Sequence, residues 1–88
     1  MRVVIAEDLA LLRDGLTRLL EAYDFEVVAA VDDAVKLGEA LRAHEPDIAV
    51  VDVRMPPTFT DEGLRAAIAA RAERPGLPVL VLSQYVEQ

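Results

Sequence analysis

Three short stretches carry the residues most able to do chemistry. "IAVVDV" (48–53) runs four apolar residues into Asp52. "VVIAED" (3–8) runs another four into the adjacent Glu7 and Asp8, and "VLVLS" (79–83) runs four into Ser83. A carboxylate closing an apolar run is costly to bury unless something compensates it. If Glu7, Asp8 and Asp52 met, three like charges would repel, and the apolar runs contain no Lys or Arg to offset them. A hard divalent cation resolves that repulsion. Mg²⁺ takes oxygen ligands in octahedral geometry and commonly uses one or two carboxylates together with a phosphate. A carboxylate beside such an ion can attack phosphorus and form an aspartyl-phosphate, and the Ser83 hydroxyl can donate to a phosphoryl oxygen. Singly, each residue has a plainer role. Asp8 suits the N-cap of a following helix, Glu7 a solvated strand end, and Asp52 an Asx-turn. Ser83 suits a loop or cap hydroxyl, Arg54 a solvated loop cation, and Tyr85 a surface-packing aromatic. Only their convergence would set these roles aside.

Convergence depends on the elements that present them. "VVIA" (3–6) is apolar on both parities, as a strand buried on both faces requires. Leu9, Leu12, Leu16, Leu19, Leu20 and Tyr23 then recur at helical spacing. "FEVVAAV" (25–31) reads as a second strand. Asp32 or Asp33 can cap a second helix with Leu37, Ala40 and Leu41 on its inner face. His44-Glu45-Pro46 ends that helix, since the residue before proline disfavours it. "IAVVDV" is the third strand and "MPPTFT" (55–60) a loop. Thr60 can cap a third helix, with Asp61 and Glu62 in its first turn. Leu64, Ala67, Ile68 and Ala72 mark that helix, and Arg71 and Arg74 suit its C-terminal dipole. "ERPGLP" (73–78) breaks it before the fourth strand, "VLVL" (79–82).

Strictly alternating strands and helices imply a parallel sheet with right-handed crossovers and helices on both faces. Ligands of such sheets bind beyond the carboxyl ends of the strands. With strand order 2-1-3-4, strands about 4.8 Å apart bring Glu7, Asp8, Asp52 and Ser83 to one crevice. With order 3-2-1-4 the cluster dissolves. Spacing alone does not choose between these orders.

The composition narrows the class of protein. The 88 residues allow one domain, and 53% hydrophobic with 28% charged content is globular in character. No cysteine is present, which excludes disulfides and thiolate metal sites. A net charge of −7 argues against these residues themselves gripping nucleic acid. No signal peptide and no membrane-spanning apolar stretch is evident, so a cytoplasmic location without membrane attachment is the expectation.

Taken together, "VVIAEDLALLRDGL", "DIAVVDVRMPP", "DEGL" and "VLVLSQYVE" resemble the receiver domain of bacterial two-component response regulators, in the branch carrying a LuxR/NarL-type helix-turn-helix. The resemblance runs over residues 1–88 and implies a flavodoxin-like, doubly wound α/β fold with a parallel sheet of order 2-1-3-4. It implies that Asp52 is the phosphoacceptor and that Glu7 and Asp8 hold Mg²⁺ with Asp52 and the backbone carbonyl of Arg54. Ser83 takes the part of the switch hydroxyl, while Arg54 and Tyr85 occupy positions that tune the lifetime of the phosphate. The implied donor is a phosphohistidine on a sensor histidine kinase, or a small acyl phosphate. The implied output is transcriptional, through a C-terminal DNA-binding domain not included in these residues. A receiver is a switch rather than an enzyme in its own right. A haloacid-dehalogenase-like phosphohydrolase would need Asp two residues after the nucleophile, where this chain has Arg54.

The resemblance also has a gap. Receivers continue into a fourth helix, a fifth strand ending in a catalytic lysine, and a fifth helix. The only lysine here, Lys36, falls on the second helix, so no residue matches that lysine. The expectation is a partial receiver ending at the start of the fourth helix. It would have an open fourth-strand edge and an incompletely covered first helix, both of which favour edge pairing or domain swapping into homo-oligomers. The competing function is a phosphorylation-independent interaction or dimerisation module.

Overall fold

The computed structural model describes residues 1–52 and 62–82. The elements are β1 (Arg2–Ala6), α1 (Ala10–Ala22), β2 (Glu26–Val31), α2 (Ala34–His44), β3 (Ile48–Asp52), α3 (Glu62–Glu73) and β4 (Val79–Leu82). The strands form one sheet of order β2-β1-β3-β4, parallel at every pairing. This is the flavodoxin-like order, and it removes the alternative that would have parted β1 from β3.

Because side chains alternate along a strand, β1 and β3 feed two cores. Val4, Ala6, Ala49 and Val51 pack with Leu37, Ala40 and Leu41 of α2 and with Leu77. Val3, Ile5 and Val50 pack on the other face, with Leu16 and Leu20 of α1. The strands are thus lined on both faces, which is why their sequences are continuously apolar rather than alternating.

The caps follow local chemistry. Of the two candidate aspartates, Asp33 caps α2, its Oδ1 accepting the Lys36 backbone N–H at 2.7 Å. The helix closes at Glu45, whose φ of 45° is left-handed and whose N–H returns to the Leu41 carbonyl. Leu77, in the stretch read only as a breaker, is a core residue at 2% exposure. Its N–H closes a turn onto the Arg74 carbonyl at 2.9 Å. Arg74 donates through Nη1 to the Pro46 carbonyl at 2.9 Å, tying the end of α3 to the entry of β3.

α3 forms where Leu64, Ala67, Ile68 and Ala72 mark it, with Ile68 and Ala72 exposed. One expectation is corrected. Asp8 does not cap α1. The N-cap position is Leu9, with no side-chain cap, and the helix starts at Ala10. No α1 residue is buried, and Leu12, Leu19 and Tyr23 of its apolar stripe stay exposed, as does Leu80 of β4. Thr60, the 55–60 loop, Arg54, Ser83 and Tyr85 lie outside the described residues. Among the described residues, no helix is long and apolar enough to cross a membrane.

Candidate functional site

The strand register brings the acids together. Ala6 of β1 lies opposite Val51 of β3, so the next residues, Glu7 and Asp52, stand level at the carboxyl edge of adjacent strands. They follow Ile5 and Val50 in parity and continue the α1-side stripe. Glu7 is 0% and Asp52 1% exposed, and Asp8 is half-buried in the turn between β1 and α1. One carboxylate oxygen from each of the three lies within 4.8 Å of the others. The solvated strand end considered for Glu7 does not survive this burial.

Backbone and side-chain hydrogen bonds fix this edge. The Glu7 N–H donates to the Val31 carbonyl of β2 at 2.9 Å. Its Oε1 accepts the Leu9 N–H at 3.1 Å, so Glu7 occupies a free donor of the α1 start in place of Asp8. Arg13 of α1 donates through Nη1 to the Glu7 carbonyl at 2.8 Å. Sequence reasoning gave Arg13 no role. The signal was a cation near a helix N-terminus, where the dipole disfavours positive charge and some other interaction must be holding it.

Beside the cluster, the Lys36 ammonium donates to Asp32 Oδ1 at 2.9 Å. That hydrogen bond is the main reason the Asp32 carboxyl is held below the usual carboxylate range. Loss of hydration is the next largest influence and opposes it, while the positive charges of Lys36 and, more weakly, Arg13 add to the lowering. The same hydrogen bond raises the Lys36 ammonium above its ordinary value. A cleft between α2 and α3, lined by Val35, Gly38, Arg42 and Ala69 among others, contains none of the three clustered acids.

The donor set is suited to a particular kind of ion. Three carboxylates, two of them buried, offer only oxygen, with no imidazole or thiolate. Such a set fits a hard cation of the Mg²⁺ class rather than Zn²⁺ or Cu²⁺.

Comparison with known proteins gives this geometry a context. Residues 3–88 match the family described as "Response regulator receiver domain". The oxygen regulatory protein NreC of Staphylococcus epidermidis is 33% identical over 89 aligned residues, which take in 100% of this chain and 40% of that protein. A probable transcriptional regulatory protein, NarL of Mycobacterium tuberculosis, is 35% identical over 99% of this chain and 39% of its own length. The chain therefore spans about 40% of the curated relatives it matches. Among solved structures, the signal receiver domain of the putative response regulator NarL from M. tuberculosis superposes with a TM-score of 0.84 at 36% identity, covering 98% of this chain and 68% of that one. A LuxR-family two-component response regulator from an Aurantimonas species gives a TM-score of 0.85 at 27% identity, covering 97% of this chain and 59% of that one.

Proposed function

The chain belongs to the response regulator receiver domain family, and from that premise we propose that it is a phosphorylation-controlled switch whose phosphoryl acceptor is Asp52. The observation that carries this reading is the meeting of Glu7, Asp8 and Asp52 within 4.8 Å at the carboxyl edge of β1 and β3. An Asp52 carboxylate oxygen attacks the phosphorus of a phosphohistidine on a sensor histidine kinase. The P–O bond forms as the P–N bond breaks, and the imidazole leaves with the electron pair. A small acyl phosphate serves in the same way, with a carboxylate as leaving group. Glu7, Asp8, Asp52 and the Arg54 carbonyl would hold Mg²⁺. When bound, that ion supplies positive charge against the phosphoryl oxygens. Ser83 donates to the phosphoryl group, and Arg54 and Tyr85 set how readily water reaches it. Phosphorylation then biases the segment after β4, and a transcriptional DNA-binding domain reads the change. Such a circuit operates in the cytoplasm.

The test is Mg²⁺ with beryllofluoride, followed by amide chemical shifts, with Asp52→Asn as control. Mg²⁺-dependent shifts around Glu7, Asp8 and β3 that vanish in the variant are expected. Indifference of the wild-type chain overturns the reading.

A second reading, as an interaction or dimerisation module, is favoured by the exposure of Leu12 and Leu19 of α1, of Tyr23 at its end, and of Leu80 of β4. Exposed large apolar residues favour burial against a second copy of the chain. Sedimentation that shows a concentration-dependent dimer, weakened by Leu19→Glu, supports it. A single-chain mass at millimolar concentration refutes it.

A further inference from the structure

We propose that Arg13 is a positioning residue, holding the Glu7 carbonyl and thereby fixing the peptide that carries Asp8 into the acidic cluster. The inference rests on reading Glu7, Asp8 and Asp52 as a cation site.

The path is short and covalent. Arg13 Nη1 donates to the Glu7 carbonyl oxygen at 2.8 Å, a charge-assisted contact. That oxygen belongs to the rigid peptide plane joining Glu7 to Asp8. Fixing the oxygen therefore fixes the Asp8 nitrogen and Cα. Glu7 is anchored at two further points, its N–H on Val31 and its Oε1 on the Leu9 N–H. Asp8 follows directly and provides no side-chain cap for α1, whose N-cap position is Leu9. The orientation of the Glu7–Asp8 peptide is thus set from the Glu7 side, where Arg13 acts.

Arg13 is itself well placed to act as a brace. Its N–H donates to the Leu9 carbonyl at 2.8 Å and its carbonyl accepts the Thr17 hydroxyl at 2.9 Å. The guanidinium thus springs from a backbone segment locked into the helix. Groups that orient metal ligands in this way typically carry about 10- to 100-fold of metal affinity when removed.

A bystander role makes the opposite prediction, which gives the test its sign. A guanidinium near three carboxylates competes with a cation for them. If charge were its only influence, deleting it would tighten cation binding. If it positions Asp8, deleting it loosens binding despite the loss of a competing positive charge.

The experiment is Mg²⁺ titration calorimetry on the whole chain for the wild type, Arg13→Ala, Arg13→Gln and Arg13→Lys. Amide spectra without metal are recorded in parallel. Expected are a loss of affinity of about tenfold in Arg13→Ala, a smaller loss in Arg13→Gln, which keeps a neutral donor, and near-recovery in Arg13→Lys. The Asp8 amide should shift in metal-free Arg13→Ala while the β3 amides hold. If Arg13→Ala does not fold, Arg13→Gln and Arg13→Lys decide. Affinity ordered wild type, Lys, Gln supports positioning, and Gln binding as tightly as the wild type or more so overturns it. A wild type that binds Mg²⁺ alongside an Arg13→Ala of equal or higher affinity overturns this inference alone. A wild type that binds no Mg²⁺ overturns the cation-site reading and this inference with it.

Discussion

Asp52→Asn tests the electrostatics of the edge with the fewest assumptions. Asp52 is essentially buried beside Glu7 and Asp8, with carboxylate oxygens within 4.8 Å. At that distance, with an effective dielectric of about 20, each like-charged pair repels by roughly 3.5 kcal/mol. Asp52 takes part in two such pairs. The repulsion has a ceiling, because a carboxyl of ordinary pKa can take up a proton at pH 7 for about 4 kcal/mol. The amide that replaces it gives back about 1–2 kcal/mol through imperfect hydrogen bonding. The expected net gain without metal is about 2 kcal/mol, and each kcal/mol moves the midpoint of a domain this size by roughly 4–8 °C. Thermal unfolding followed at 222 nm in EDTA should therefore show Asp52→Asn melting roughly 10 °C above the wild type. Mg²⁺ narrows the gap. At ten times its dissociation constant it stabilises the wild type by about 1.4 kcal/mol and Asp52→Asn by much less. Asp14→Asn, which removes a charge from an exposed pair with Arg18, controls for net charge and should move little. An Asp52→Asn midpoint at or below the wild type in EDTA would refute the claim that three charges crowd this edge.

Other expectations concern the scaffold around the site. Asp33→Ala removes the α2 cap and should lower stability by about 1 kcal/mol; Asp33→Ser should recover most of it in the same melt. Leu37→Ala empties a fully buried position between α2 and the sheet and should cost about 2–5 kcal/mol, visible as a lower urea midpoint with an unchanged slope. The depressed Asp32 carboxyl and raised Lys36 ammonium define a pH window. The Asp32 contribution is present above its unfolded pKa and is lost as pH falls through its lower folded value. The Lys36 contribution is present below its unfolded pKa and is lost as pH rises through its higher folded value. Carboxyl-carbon titration by NMR should place Asp32 below the ordinary aspartate value, and Lys36→Met should move it upward. No movement would show that the hydrogen bond does not form in solution.

The candidate site was legible in the sequence because its residues close continuously apolar runs. A carboxylate at the end of "VVIA" or "IAVV" has nowhere to go but the sheet edge. The same patterning located all seven elements, since strands buried on both faces and helices with a three-to-four spacing look different even in short stretches. The α2 face was readable because Leu37, Ala40 and Leu41 stand at one spacing with polar neighbours. The α3 segment carries no such contrast, because alanine fits any face, and its Ile68 and Ala72 are exposed. Leu77 was hidden inside a Pro-Gly turn, where local chemistry speaks of chain reversal rather than burial.

By itself, the sequence determined the elements, their parallel arrangement and the identity of the acids at the strand ends, because hydrophobic periodicity and proline or glycine breaks are local properties. Periodicity left both strand orders open, the family resemblance pointed to β1 beside β3, and the observed sheet has that order. Tertiary structure alone decided that Glu7, rather than Asp8, meets the Leu9 N–H at the start of α1, and that Arg13 reaches back to the Glu7 carbonyl. Such contacts depend on where a helix lands on its sheet, a property that neither segment carries by itself.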